Sequence, residues 1–431
     1  MITAGKTEKI TGLSLKLALP LAIAVVLGAL LFWNPNSQSS SWIYPFFSGA
    51  ANLGFDLQWR VDSAAYPAFA ALPYAEQLAK YHFAAGNPAD LAPYDILDRG
   101  YVFVVWLAQK ALFWMPQIKA VIWLQIAFHT ASSLFVLGRL DSGPKRLAFI
   151  LFYALNPLVL HFVTFAYLYY WQVLPAFAWF IWETKRGKAT ISGLILLALV
   201  LVGAYFIRQS TMMASALILA LAAWQLRTFL GLLVLVAFIG LTVAAKNPSE
   251  PWHTAYVGIG AYSNADHIKL DDESGYKVFL DETGIAINTA PPKGNYYDPV
   301  IRQAYYGVMK DAFMTYAKAH PFEMLRNAGL NTLQGFSVGY FVGSLAQSLI
   351  NAALGLVMLG LMLYRRLYGL IAIMFFSIAG FVAYFPPIPA YMFGNFPLIA
   401  LAAGYILEWI VQSVWFTGVV SRVQARRTGS V

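Results

Sequence analysis

Long apolar segments dominate the chain and leave few folds open to it. Runs of roughly 18–25 apolar residues recur along most of the sequence, which is the length an α-helix needs to cross a bilayer. A transmembrane β-barrel would show short alternating segments instead. Only 11% of the residues are charged, against about 25% in soluble globular proteins, and 59% are hydrophobic. The sequence therefore predicts an all-α polytopic membrane protein.

Composition also excludes several kinds of chemistry. The chain has no cysteine, so disulfides, thiol nucleophiles and Cys-ligated metals are ruled out. It has no GxxxxGK[ST] phosphate loop, which disfavours a nucleotide-driven pump or kinase. The net charge of +9 comes largely from short turns between apolar segments. This distribution disfavours nucleic acid as a partner.

Charge patterning predicts the topology. Candidate spans fall at 15–33, 119–138, 145–163, 165–183, 189–207, 210–227, 229–246, 340–363, 367–385 and 390–412. The segment 101–116 is apolar but short, and the sequence leaves open whether it crosses. If it lies at the interface, the short basic turns all share one side with the N-terminus, as the positive-inside rule favours. We therefore expect about ten spans, both termini in the cytoplasm and a bacterial inner-membrane location.

This topology places two long loops on the outer, periplasmic face. The loops 34–100 and 247–338 hold 16 of the 20 acidic residues, and the cytoplasmic turns are short. A catalytic site is therefore expected on the outer face, built from these two loops. We expect a seven-span module over 1–246, whose first outer loop with its interfacial helices covers 34–118, then a periplasmic lid over 247–338 and a three-span bundle over 339–431.

Four ionisable residues of the first outer loop and the predicted span ends are candidates for a site. Asp62, near the hydrocarbon boundary in "WRVDSAAY", could act as a general base or hold a cation, or it could be a loop acid or helix N-cap. Asp56 is the competing acid. Arg99 opens the interfacial segment and could bind a lipid phosphate or lie among headgroups. Arg208 lies between two apolar segments, where a charge usually faces a cavity or a partner, although it could be an interfacial anchor.

The order of these elements resembles the GT-C superfamily of polyprenyl-phosphate-sugar-dependent glycosyltransferases, which includes aminoarabinose and protein O-mannosyltransferases. The resemblance covers roughly 15–246 and is carried by an outer acid with a following tyrosine in "VDSAAYPAFAAL" and a basic residue opening "DRGYVFVVWLAQKALFW". The segments "NPLVLHFVTFAYLYYW" and "VGAYFIRQSTMMASALILAL" follow in the family's order. The chain departs from the family where Ser63 replaces a second acid, and where "YYWQ" replaces an acid of the fifth helical region.

The resemblance implies a GT-C-like bundle that transfers a hexose or pentose with inversion, from a polyprenyl-phosphate donor to a glycan, lipid or protein acceptor of the cell envelope. It implies Asp62 as the catalytic residue and Arg99 and Arg208 as ligands of the donor phosphate. It implies no soluble cofactor, and the two departures leave a divalent cation open. Besides the donor and the acceptor, membrane lipid is the expected partner.

The second outer loop is rich in Gly, Asn, Asp, Tyr and Pro, which predicts turns and short strands in its first half and two helices, broken at His320-Pro321, in its second. Acceptor-binding candidates are Tyr66 of the first loop and Trp252, Tyr262, Asp271 and Asp272 of the second. The run "DDESG" fails the EF-hand pattern, and His253 and His267 are a weak metal signal.

Remaining polar and aromatic residues in the predicted spans have structural interpretations. His129 and His161 are expected to form interhelical hydrogen bonds. Glu408 is expected at the cytoplasmic interface. The aromatics of 167–171 fit an interfacial belt, although some could line the site.

Other functions would place the charges differently. A transporter or flippase is the main alternative, but it would carry charges along a path inside the membrane. A polymerase or ligase of lipid-linked glycans would favour arginine-rich outer loops, whereas these loops are acidic. A non-catalytic role as an assembly partner is neither favoured nor disfavoured by any feature of the sequence.

Overall fold

Helices make up almost all of the structure. The computed structural model describes residues 7–33, 40–54, 58–94, 98–184, 190–227, 229–245, 251–291, 293–337 and 344–413. It is about 76% helical. Within those ranges the strands form one two-stranded antiparallel ribbon. The prediction of an all-α membrane protein is therefore confirmed.

The N-terminal part alternates long helices with the first outer loop. Its elements are α1 (Thr7–Leu31), α2 (Ser40–Ala51), β1 (Arg60–Asp62), α3 (Tyr66–Ala70), α4 (Tyr74–Lys80), β2 (Leu91–Pro93), α5 (Gly100–Ala111), α6 (Gln117–Arg139), α7 (Gly143–Phe149), α8 (Pro157–Val163), α9 (Leu174–Thr184), α10 (Ile191–Ile207), α11 (Met212–Leu226) and α12 (Phe229–Ala244). Short 3₁₀ turns cover Pro88–Asp90, Leu168–Val173 and Gln209–Thr211, and a π-helical turn covers Ile150–Ala154.

The second outer loop and the C-terminal bundle complete the chain. Their elements are α13 (Trp252–Gly258), α14 (Asp272–Thr283), α15 (Pro299–Ala319), α16 (Pro321–Gln334), α17 (Leu345–Tyr364), α18 (Tyr368–Ile378), α19 (Pro389–Met392) and α20 (Phe396–Gln412). The 3₁₀ turns here are Ile259–Ala261, Asn295–Tyr297 and Phe393–Asn395.

Four helical stretches of the described chain are long and apolar enough to cross a membrane: Gln117–Arg139, Gln209–Leu226, Leu345–Tyr364 and Pro389–Gln412. A fifth arises if the bent pair Gly143–Ala154 and Pro157–Val163 is one span. Four further apolar helices are shorter: Leu17–Leu31, Ile191–Ile207, Phe229–Ala244 and Tyr368–Ile378. All ten predicted spans contain helix, but the ten-span arrangement itself stays a prediction.

Two predicted spans are interrupted for local reasons. The segment 145–163 bends by 51°, because Pro157 cannot donate a backbone hydrogen bond and Asn156 begins a new helix by accepting from the N–H groups of Leu158 and Val159. The segment 165–183 opens with a 3₁₀ turn before α9. In it Tyr167, Tyr170 and Trp171 are buried, so they face the protein rather than an interfacial belt.

The second outer loop is helical, and the prediction of short strands in its first half is wrong. Within 251–291 the structure contains helices, turns and irregular segments, and no strand. Asp271 caps α14 by accepting from the Ser274 N–H, and Gly284, at a positive φ of 72°, ends it. These polar residues are helix-end signals rather than strand-turn signals. The break at His320-Pro321 is confirmed, since α15 ends at Ala319 and α16 begins at Pro321.

The C-terminal bundle packs on the N-terminal module at the predicted cytoplasmic end. α20 lies against α7, and the buried Lys145 ammonium contacts Glu408 at 2.8 Å and Asp141 at 3.0 Å. Glu408 is therefore an ion-pair partner rather than only an interfacial acid. Deeper in the module, His129 Nε2 lies 3.0 Å from the Ala154 carbonyl oxygen, which confirms an interhelical hydrogen bond for this residue.

Candidate active site

A buried ion pair joins the first outer loop to the end of α10. Arg208 Nη1 donates to Asp98 Oδ2 at 2.9 Å, and the backbone N–H of Gln209 donates to Asp98 Oδ1 at 2.8 Å. The two side chains are only 15% and 6% exposed. The first loop is therefore fixed to the membrane helices by a charge pair shielded from water.

Gly100 allows the start of α5 to lie close to the end of α10. Gly100 opens α5 directly after Asp98 and Arg99, and a Cβ placed on it would lie 2.6 Å from the carbonyl carbon of Phe206 and 2.8 Å from the N of Ile207. Any larger residue would push α5 away from α10. The contact brings the predicted phosphate ligands Arg99 and Arg208 to the same region.

Two neighbouring aromatic rings lie beside the Arg208 guanidinium. The ring centres of Tyr169 and Tyr391 lie 5.4 Å and 5.2 Å from it, within cation–π distance. Arg208 and Asp98 both interact electrostatically with buried Tyr167. Arg208 Nε is buried without a hydrogen-bond partner in the described part of the chain. Arg208 is therefore a neutralised, enclosed cation, so an anion would have to share it with Asp98.

Arg99 points to a different environment. It is exposed and lines a cavity of about 780 Å³ between α5, α10 and the β1–β2 ribbon. The walls are mainly apolar and include Phe103 and Leu107 of α5 and Phe206 of α10, and Gln58 also lines the cavity. Such a groove fits a hydrocarbon chain with an anionic group at the arginine.

α5 itself does not reach across a membrane. It has 12 residues, which corresponds to about 18 Å, whereas the hydrocarbon core is about 30 Å thick. Its N-terminus, where helix N–H groups favour anions, lies beside Arg99.

Asp62 ends strand β1 and caps its own turn. Its Oδ1 accepts from the N–H groups of Ala64 at 2.9 Å and Ala65 at 3.2 Å. Its backbone is held as well, because its N–H donates to Ser48 Oγ and its carbonyl accepts from the Tyr44 hydroxyl. The loop-acid alternative therefore has direct structural support, while Asp62 remains half-buried.

The ribbon separates Asp62 from the groove. Trp59, which lines the groove, lies three residues before Asp62, roughly 10 Å along a strand. β1 pairs with β2 so that Asp62 is opposite Leu91, at the end of the ribbon away from Asp98. Tyr66 packs edge-on against Tyr44 near Asp62, and Asp56 lies outside the described residues.

The second outer loop contributes one candidate acid to the Arg208 region. Asp272 interacts electrostatically with Tyr169 and Tyr391, the two rings beside Arg208. Its Oδ1 lies 3.1 Å from His253 Nε2, and His253 Nδ1 hydrogen-bonds to the Tyr305 hydroxyl. Asp272 is therefore electrostatically coupled to the rings beside Arg208.

The other candidates of this loop have structural contacts. Asp271 caps α14, and Trp252 packs near Phe313 with Lys310 over its ring. Tyr262 is buried, bonded to Asn331 and Gln334, so its faces are not open to a sugar.

Metal ligands do not converge in the described residues. No three His, Asp or Glu side chains there form a group suited to a metal ion. His253 bonds to Asp272 and Tyr305, and "DDESG" forms the first turn of α14.

Sequence reasoning missed the residues that complete the site. Asp98 precedes Arg99 directly, but its partner lies 110 residues away. The available signal was Arg208 itself, since a charge between apolar segments needs a partner. Tyr391 and Tyr305 carried no signal among the 25 tyrosines of the chain.

Comparisons with protein-family models, with curated proteins and with solved structures found no match for this chain.

Proposed function

We propose that this membrane protein is an inverting glycosyltransferase that uses a polyprenyl-phosphate sugar as its donor. The observation that carries the proposal is the apolar groove of about 780 Å³ with Arg99 in its wall, next to the buried Asp98–Arg208 pair. A polyprenyl phosphate has the matching chemistry, namely a long hydrocarbon tail and one anionic group.

The same proposal includes the finer arrangement expected from the sequence. The chain forms about ten spans in a bacterial inner membrane, with both termini cytoplasmic and the site on the periplasmic face. The acceptor is a glycan, lipid or protein of the cell envelope. The resemblance to GT-C enzymes supports this assignment through the order of the first-loop acid, Arg99 and Arg208.

The chemistry follows from the positions of the charges. Arg99 and the N-terminus of α5 hold the donor phosphate, and the tail lies along Phe103 and Leu107. An acceptor hydroxyl attacks the anomeric carbon, whose bond to the phosphate oxygen breaks, and polyprenyl phosphate leaves. The Arg99 guanidinium stabilises the charge that develops on the leaving group. The acceptor proton passes to a carboxylate, for which Asp62 and Asp272 are the described candidates.

Sugar transfer in reconstituted membranes tests the proposal. The purified chain in lipid nanodiscs would receive a panel of radiolabelled polyprenyl-phosphate hexoses and pentoses, with cell-envelope extract as acceptor. Label in the extract, together with release of polyprenyl phosphate, is expected. Arg99→Gln should raise the donor KM by about 10–100-fold, because it removes a charge-assisted hydrogen bond. Arg139→Gln, an exposed arginine ending α6, is the matched control.

A transporter would give a different result. Donor lipid would then move between leaflets of a vesicle with its sugar still attached, and no label would enter the acceptor. That outcome would replace the proposed transfer reaction.

A further inference from the structure

Three side chains of the second outer loop form a hydrogen-bonded row that ends at Asp272. Tyr305, on α15, bonds to His253 Nδ1, and His253 Nε2, on α13, lies 3.1 Å from Asp272 Oδ1. Three different helices therefore meet at one imidazole. Tyr305 is fully buried, His253 is 17% exposed, and Asp272 is 52% exposed. The row runs from the interior of the loop to its surface.

The direction of the row follows from its donors and acceptors. An ionised carboxylate can only accept, so His253 Nε2 carries the hydrogen toward Asp272. Burial, with nearby Tyr276 and Asp272, raises the pKa of Tyr305 and keeps its hydroxyl protonated. In neutral His253 the Nδ1 atom is then the acceptor from Tyr305. The tautomer of His253 is thus set by its two partners.

Packing holds the imidazole in this orientation. The Tyr276 ring stacks on His253 at 5.7 Å with an interplanar angle of 15°. Gly275 is required beside it, because a Cβ there would lie 2.7 Å from the Tyr305 hydroxyl and 2.9 Å from His253 Nδ1. A flexible acidic loop would need neither feature.

Asp272 is electrostatically coupled to the membrane half of the site. It interacts electrostatically with Tyr169 and Tyr391, two neighbouring rings whose centres lie 5.4 Å and 5.2 Å from the Arg208 guanidinium. Among its contacts to described residues, only Oδ1 makes a hydrogen bond, which goes to His253. Asp62, by contrast, uses its Oδ1 for two backbone N–H groups of its own turn.

We propose that Asp272 is the acceptor-side base of the transfer reaction, and that His253 and Tyr305 are the positioning residues that aim its carboxylate at the site beside Arg208. This inference rests on the proposed glycosyltransferase function. The Asp272 carboxylate accepts the proton of the acceptor hydroxyl while the new glycosidic bond forms. The electron pair of the broken bond leaves with the polyprenyl phosphate, and the proton on Asp272 returns to water after product release.

The test measures transfer and donor binding in the same nanodiscs. Asp272→Asn is expected to lower kcat by at least about 100-fold, the usual contribution of general-base catalysis, while the affinity for farnesyl phosphate as a donor probe stays unchanged. Asp281→Asn, an exposed acid on the same helix, is the control and should keep full activity. Unchanged probe binding also shows that the variant is folded.

The positioning role has its own readout. His253→Gln can still donate from its amide to Asp272 and is expected to retain most of the wild-type kcat. His253→Ala and Tyr305→Phe remove parts of the row and should lower kcat about tenfold and a few fold, without changing the donor KM. His82→Asn, an exposed histidine of the first loop, is the control.

Each outcome decides a different statement. If the wild type transfers sugar and Asp272→Asn transfers it equally fast, the base assignment is overturned while the glycosyltransferase stands, and Asp62→Asn should then abolish transfer. If His253→Gln lowers kcat as much as His253→Ala does, the positioning role of His253 is overturned. If the wild type transfers no sugar from any donor of the panel, both the proposed function and this inference fail.

Discussion

The buried Asp98–Arg208 pair predicts a large and specific loss of stability when its charge is removed. Asp98→Asn keeps an oxygen that can accept from the Gln209 N–H, so the change isolates the charge. At the observed 2.9 Å the pair attraction is about 6 kcal/mol for an effective dielectric constant near 20. Desolvation offsets part of it, and removing one partner of a buried pair usually costs about 3–5 kcal/mol. We expect Asp98→Asn to lower the free energy of unfolding by that amount.

A double-mutant cycle measures the interaction directly. Asp98→Asn, Arg208→Met and the double variant would be unfolded by denaturant in mixed micelles, with tryptophan fluorescence as the signal. The double variant should be more stable than the sum of the single losses predicts, by about 3 kcal/mol. Glu76→Gln with Lys80→Met, an exposed pair at 3.9 Å, is the control and should show a coupling below about 1 kcal/mol. Additive effects at 98 and 208 would refute the argument that this pair fastens the first loop.

Three further changes test other contacts. Gly100→Ala should weaken farnesyl phosphate binding, measured by titration in nanodiscs, because the added Cβ would lie 2.6 Å from the carbonyl carbon of Phe206 and widen the groove. Burial raises the pKa of Tyr262 to about 12, so the stability this residue contributes is present below pH 10 and is lost as the pH rises toward 12. Tyr262→Phe should therefore reduce the loss of unfolding free energy between pH 10 and pH 12 by up to about 3 kcal/mol. An unchanged pH dependence of the unfolding free energy would contradict this. Lys145→Met should lower the free energy of unfolding by about 3 kcal/mol, since it leaves the Glu408 carboxylate without its cation, and Glu408→Gln should restore part of that loss.

The sequence predicts helix in the apolar segments, because hydrophobic length is a local property, although only four or five of the described helices are long and apolar enough to cross a membrane. Each of the ten predicted spans contains helix in the structure, although 165–183 begins with a 3₁₀ turn. The bend after Ala154 was visible in principle as Asn156-Pro157, a capping residue followed by proline. The helical outer loop was misjudged because Asp271 and Gly284 cap a helix with the same residue types that form turns.

The candidate site was predictable only in part, because its contacts are long-range. The two arginines carry a local signal, since each is a charge beside an apolar helix. Their division of roles is not local. Asp98 lies next to Arg99 in the chain, yet it bonds to Arg208, because Gly100 brings α5 against the end of α10. No pattern of one sequence encodes that choice.

Lysine substitutions at the two arginines separate their roles. Arg99 faces a groove, where a lysine still offers an ammonium to a phosphate, so Arg99→Lys should change the donor KM less than about fivefold. Arg208 donates to Asp98 while its planar group lies beside the rings of Tyr169 and Tyr391, and a compact ammonium does not reproduce both contacts. Arg208→Lys should therefore lower the free energy of unfolding by about 1–2 kcal/mol. Equal effects of the two lysines on KM and on stability would mean that both arginines serve the same anion, and that the enclosure of Arg208 has no function of its own.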